Sequence, residues 1–71
     1  MSNERELAEL RAAKCYYNWH GMLKEPENSS DIIEAYFLGF WTAFDDDQQI
    51  VFLSMCNNAD FRILVKYDIW K

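Results

Sequence analysis

Five of the chain's twelve aromatic residues fall within fourteen positions, in the run DIIEAYFLGFWTAF from Asp31 to Phe44. At about 100° per residue, Ile32, Ile33, Tyr36, Phe37, Phe40, Trp41, Ala43 and Phe44 cover roughly half of a helical cylinder. Glu34, Ala35, Gly39 and Thr42 occupy the narrow remaining side. Asp31 followed by Glu34 makes a capping-box pattern at the start of the run. Gly39 weakens a helix but lets another backbone approach closely. A strand is the alternative, because aromatic residues and Thr suit a pleated surface. Both alternating faces of that strand are apolar, however, and the cap pattern favours the helix.

The aromatic content matters because the chain is short. Its 71 residues allow one domain, spanning 1–71, and a domain of this size buries a modest share of its surface. Each aromatic side chain buries on the order of 150–250 Å², so twelve exceed what one small interior is expected to hold. Tyr16, Tyr17, Trp19, Tyr36, Phe37, Trp41, Phe44 and Trp70 cannot all be inside, whereas Ile32, Phe40 and Leu53 are assigned to the core. Surface aromatics on a small domain point to a homodimer or a partner site.

The remaining segments also read as helices. From about Asn3 to about Met22, Asn3 with Glu6 forms a cap pattern, and acids precede bases in the order that suits the helix dipole. Ala8, Ala12, Cys15 and Trp19 make one apolar stripe, and Leu7, Leu10 and Tyr17 make another. Two stripes on one helix imply two neighbours. Gly21 is the expected stop. Lys24–Ser30, with Pro26, is a loop. Asp45-Asp46-Asp47 reads as a turn and the cap of a third helix, with Asp46 and Gln49 as the box.

Gln48–Cys56 is apolar nearly all round, and Asn57-Asn58-Ala59-Asp60 reads as a turn. Phe61–Trp70 fits either an alternating strand or a helical stripe. The expected fold is all-α, a small bundle of three to four short helices, dimeric. The alternative is α+β, with the N-terminal helix on a three-stranded antiparallel meander from 34–44, 48–56 and 61–70.

The chemistry of a catalytic or metal centre is not visible in the spacing. Cys15 and His20 are five positions apart and point about 140° from each other on a helix, too far round for a thiolate–imidazole pair. No ligand pair such as C-x-x-C or H-x-x-x-H occurs. The Asp45–Asp47 run lacks the alternation, central Gly and terminal Glu of a calcium loop. With only Gly21 and Gly39 in the chain, no Gly-rich phosphate loop exists. No enzyme activity, metal or cofactor is expected.

Charge narrows the partner. From Glu25 to Phe61 there are eight acidic residues and no Lys or Arg. Such a segment repels phosphate, so direct nucleic-acid binding is disfavoured, whereas a basic protein surface would be drawn to it. The first ten residues are charged and lack the apolar core of a signal peptide. No run reaches the roughly 18–20 apolar residues of a membrane span. A cytoplasmic location, with both thiols reduced, is therefore expected.

The expected function is non-enzymatic protein binding, as a regulator or inhibitor similar in size and composition to small phage-encoded inhibitors. The expected contact residues are Phe37, Trp41 and Phe44 with Asp45, Asp46 and Asp47, flanked by Trp19 and Tyr36. The alternative is an acidic mimic of nucleic acid that blocks a DNA- or RNA-binding protein.

Overall fold

The computed structural model describes residues 2–69 and contains four helices: α1 (Ser2–Leu23), α2 (Ser30–Trp41), α3 (Asp46–Met55) and α4 (Asn58–Tyr67). There is no strand among the described residues, so the meander alternative does not hold. Trp70, one of the eight aromatics that cannot all be inside, lies outside the described residues.

Helix ends are set by local hydrogen bonds, and the sequence places most of them within one or two residues. Gly21 does not stop α1. It keeps a negative φ inside the helix. The end comes two residues later, where the Lys24 and Glu25 amides donate to the carbonyls of Gly21 and Met22 at 3.1 and 3.2 Å. These tight i→i−3 bonds close the last turn, and Pro26 bars continuation. Ser29, not Asp31, caps α2, its hydroxyl accepting from the Ile32 amide at 3.3 Å. Asp31 sits in the first turn, where a carboxylate suits the dipole.

After Trp41 the chain turns a corner. The Ala43 and Phe44 amides donate to the carbonyls of Phe40 and Trp41, while Thr42 Oγ1 donates back to the Leu38 carbonyl at 3.0 Å. The α3 capping box is made by Asp45 with Gln48, one position before the expected Asp46–Gln49 pair. Asp45 Oδ1 accepts from the Gln48 amide at 2.8 Å, and Gln48 Oε1 accepts from the Asp45 amide at 3.1 Å. The Asn57–Asp60 stretch is not a plain turn. It starts α4 with a second reciprocal box, in which Asn57 Oδ1 accepts from the Asp60 amide and Asp60 Oδ2 from the Asn57 amide. Asp68 ends α4 in the left-handed conformation, φ 60°.

The interior is a cluster of rings centred on Phe52 of α3. Around it stand Tyr16 at 5.4 Å and Trp19 at 5.6 Å from α1. Phe37, Phe40 and Trp41 of α2 lie at 5.6, 5.5 and 5.7 Å, and Phe44 from the corner at 6.3 Å. Trp19, Phe37, Phe52 and Leu64 are fully buried. The Trp19 indole N–H donates to the Tyr67 hydroxyl at 3.3 Å, which ties α1 to α4.

This corrects the expectation that Trp19 and Phe37 are surface contact residues. Rings that meet edge to face bury one another, so the cluster absorbs more aromatics than a sum of separate areas suggests. Ile32 goes the other way. Expected in the core, it is exposed, because the buried arc of α2 centres on Ile33 and Phe37. Phe40 and Leu53, also assigned to the core, are only partly buried against it.

Because six rings share Phe52, Phe52→Ala opens a cavity that no single neighbour can fill. A loss of about 3–5 kcal/mol is expected, a large fraction of the stability of any small domain. Ile50→Ala, at an exposed position on the same helix, should change it by less than about 0.5 kcal/mol. Urea unfolding of the two variants makes the comparison.

Candidate functional site

The expected aromatic patch survives only in part. Trp19 and Phe37 are core residues and present no surface. Trp41 stacks on Phe37 with ring centroids 5.1 Å apart and is partly buried, as is Phe44. Tyr36 is exposed and its hydroxyl accepts from Asn18 Nδ2 at 3.3 Å, a link from α2 to α1. Asp45, Asp46 and Asp47 are exposed at the start of α3.

What these residues border is a groove of about 390 Å³ between α1 and the α2–α3 corner. One wall is Arg11, Lys14, Cys15 and Asn18 of α1. The other is Phe40, Ala43, Phe44 and Gln48. The spacing of the first set, at positions 11, 14, 15 and 18, keeps it on one side of α1. Gln48 closes one end of the groove. Its Nε2 donates to the Ala8 carbonyl at 3.2 Å and pins α3 to α1. Beyond that pin lies a second cleft of about 310 Å³, lined by Glu4, Arg5, Ala8, Glu9, Asp45, Asp47 and Gln48. Arg5 is paired with Glu9 there, Nε to Oε1 at 3.3 Å.

Basic side chains, not expected there, thus stand beside the aromatics as well. In sequence the acids 45–47 directly follow Phe44. In space Arg11 and Lys14, more than twenty positions earlier in the chain, share the groove with Phe40 and Phe44, while Asp45 and Asp47 line the neighbouring cleft. The sequence signal for this was weak. The positions 11, 14 and 18 form a polar strip on a helix otherwise noted for its apolar stripes, and nothing local says which element they face.

A second constellation was not anticipated. Asp60 is buried, and its carboxylate gathers three donors. The Tyr16 hydroxyl donates to Oδ2 at 2.7 Å, the Asn57 amide to Oδ2 at 3.1 Å, and His20 Nδ1 to Oδ1 at 3.2 Å. Burial, then the hydrogen bond to Asp60 and its charge, push the Tyr16 hydroxyl well above its ordinary 10.0. The hydroxyl therefore stays protonated and acts as the donor. The His20 ring stacks on Tyr16, centroids 5.3 Å apart.

A carboxylate holding an imidazole is also how a catalytic base is oriented. Here, however, His20 and Asp60 line neither the groove nor its acidic neighbour. The cluster is a tie between α1 and α4, with one carboxylate serving both as tie and as helix cap.

The thiols are not activated. Both cysteines are free. Burial raises the Cys15 thiol above 9.0 even though Arg11 and Lys14 share its groove. Burial, then the charge of Asp60, pushes the Cys56 thiol from 9.0 up to about 12. Cys56 Sγ lies 3.4 Å from the Phe52 carbonyl, to which it donates. Among the described residues no group of three or more His, Cys, Asp or Glu is placed to hold a metal ion. No helix among them is long and apolar enough to cross a membrane.

Two measurements check this account of the polar groups. Asp60→Ala leaves three donors without their acceptor and should cost about 3 kcal/mol, more than Tyr16→Phe, which removes one hydrogen bond and costs about 1–2 kcal/mol. Alkali is the second. The fold holds the Cys56 proton that the unfolded chain releases near 9.0, so its contribution is intact below that pH and is lost as pH rises toward about 12. Tyr16 adds to the loss above its unfolded value of 10.0. The urea midpoint should fall across this range, and less steeply in Cys56→Ala.

Comparison of the chain with protein-family models, with curated proteins and with solved structures returns no match.

Proposed function

We propose that the chain is a non-enzymatic protein-binding module, a regulator or inhibitor that engages another protein through the groove between α1 and the α2–α3 corner. The observation that carries this is the groove itself. It is open, it has an apolar wall of Phe40, Ala43 and Phe44, and Arg11 and Lys14 stand along its other wall. Aromatic and Arg side chains beside a pocket are the usual anchors of a binding hot spot.

Each part has a distinct task. Phe40 and Phe44, held from behind by Phe52, receive an apolar side chain of the partner. Arg11 and Lys14 select a carboxylate next to that side chain. Tyr36, fixed by Asn18, extends the contact along α2. Asp45, Asp46 and Asp47 lie past Gln48 and steer a basic patch of the partner, which mainly raises the rate of encounter. The partner surface thus carries an apolar anchor between one acidic and one basic region.

The acidic-mimic alternative uses the same exposed acids, but one of its eight charges, Asp60, is buried and spent on Tyr16 and His20. Capture from a native lysate separates the two functions. Arg11→Glu with Lys14→Glu, and separately Tyr36→Ala, should each weaken capture at least tenfold while leaving the urea midpoint near wild type. Loss of capture on neutralising Asp45–Asp47, with a steep salt dependence and no effect of the groove variants, would instead support the mimic and overturn the groove.

A further inference from the structure

We propose, on the reading that the groove binds the partner, that the groove and the acidic cleft beside it form one trench. Its occupant is an extended segment of the partner protein with a basic, an apolar and an acidic side chain at alternate residues. Both clefts run along α1 and share Gln48, whose side chain is the sill between them. Residues 4, 5, 8 and 9 of α1 line the cleft, and residues 11, 14, 15 and 18 continue the same wall into the groove.

The two ends of the trench differ in charge. Arg11 and Lys14 line the groove with no acid beside them. Neither has a hydrogen bond or ion pair among the described residues. Around the cleft stand Glu4, Glu9, Asp45 and Asp47, and its one base, Arg5, is already paired with Glu9. A segment that satisfies both ends therefore carries a base at one end and an acid at the other. Phe44 stands on the groove side of the sill, next in the chain to Asp45 on the cleft side, and meets the apolar residue between them.

Spacing fits an extended segment. The two sets of α1 residues are centred about eight positions apart, roughly 12 Å along the helix. An extended chain rises about 3.3 Å per residue and turns alternate side chains to one face, so side chains at i, i+2 and i+4 span about 13 Å on that face.

Gln48 decides between an extended segment and a helix. Its Oε1 accepts from the Asp45 amide at 3.1 Å and its Nε2 donates to the Ala8 carbonyl at 3.2 Å. The side chain is thus fixed at both ends. One N–H and one lone pair of its amide remain without a partner among the described residues. A peptide unit crossing the sill offers a C=O and an N–H to meet them. A helix bonds its own backbone groups internally and offers neither, whereas an extended segment leaves both open.

Short acetylated, amidated peptides in a Ser/Gly background are the probes. Lys, Leu and Glu at i, i+2 and i+4 should bind the full chain at least tenfold tighter, by titration calorimetry, than the same residues at i, i+3 and i+7 or with Lys and Glu adjacent. The Gln48 side-chain amide resonances should shift during the titration. Arg11→Glu with Lys14→Glu should lose that peptide at least tenfold and gain the one in which Lys replaces its Glu. Equal affinity for the three spacings overturns the inference, as does the absence of saturable binding or a set of Gln48 resonances that does not move. A partner captured from lysate through Arg11 and Lys14 but not displaced by the alternating peptide overturns the trench and leaves the groove standing. Capture that ignores the Arg11 and Lys14 variants overturns the groove itself, and the trench with it.

Discussion

The structure depends on one shared ring. Phe52 is the place where α1, α2 and the corner after α2 meet, and each contributes rings to it. A domain of this size ordinarily lacks the interior to stand without a disulfide or a metal. Both cysteines here are free. The alternative is to make each buried side chain as large as possible and to let the rings cover one another, which adds a specific ring–ring gain to the area term. The placement of α3 follows. Its sequence is apolar nearly all round, which suggests a helix enclosed on every side, but only Phe52 is buried, against the helix before it in the chain and the long helix at the N-terminus, while Ile50 faces outward.

α4 is held by a different principle. Leu64 reaches the core, but the specific links to α1 are polar: Trp19 to Tyr67, and Tyr16 with His20 to Asp60. A buried carboxylate is costly unless its lone pairs are met. Asp60 meets that condition by being the third helical residue of a capping box while also facing α1. The same atom, Oδ2, accepts from the Asn57 amide and the Tyr16 hydroxyl. The start of α4 and its attachment to α1 are therefore one event.

This explains what the sequence discloses and what it hides. Helix periodicity in Asp31–Phe44 and Asn3–Met22 was legible, because it is a local property. Caps were legible to within a residue or two. The choice between Asp45 and Asp46, or Ser29 and Asp31, turns on which side chain reaches the third amide, and neighbouring polar residues are near equivalents. Asn57–Asp60 was missed as a cap because Asn and Asp serve turns equally well. Which aromatics go inside was not legible, since Trp19 and Phe37 are buried by rings from other helices. For the same reason the basic side chains that border the aromatics were not legible. Phe44 and Asp45 are neighbours in the chain, but the residues that face Phe44 across the groove come from α1.

α1 is where these constraints converge, and its two halves are supported unequally. From Ala12 onward it is anchored by Tyr16, Trp19 and His20. Residues 3–7 are exposed, and Ala8 is reached by Gln48 through its carbonyl. A helix segment with so little tertiary burial rests on local propensity, which is marginal for a few turns in water. Leu7 and Leu10 add nothing to it while they face solvent. They stabilise that segment only when something covers them, and whatever covers them is linked by mass action to the folding of the helix they sit on. The wall of the groove, Arg11 to Asn18, lies at the junction of the two halves. The Arg11 end of that wall therefore stands on the less supported part of α1, and the Cys15 and Asn18 end on the part that Tyr16 and Trp19 anchor in the ring cluster.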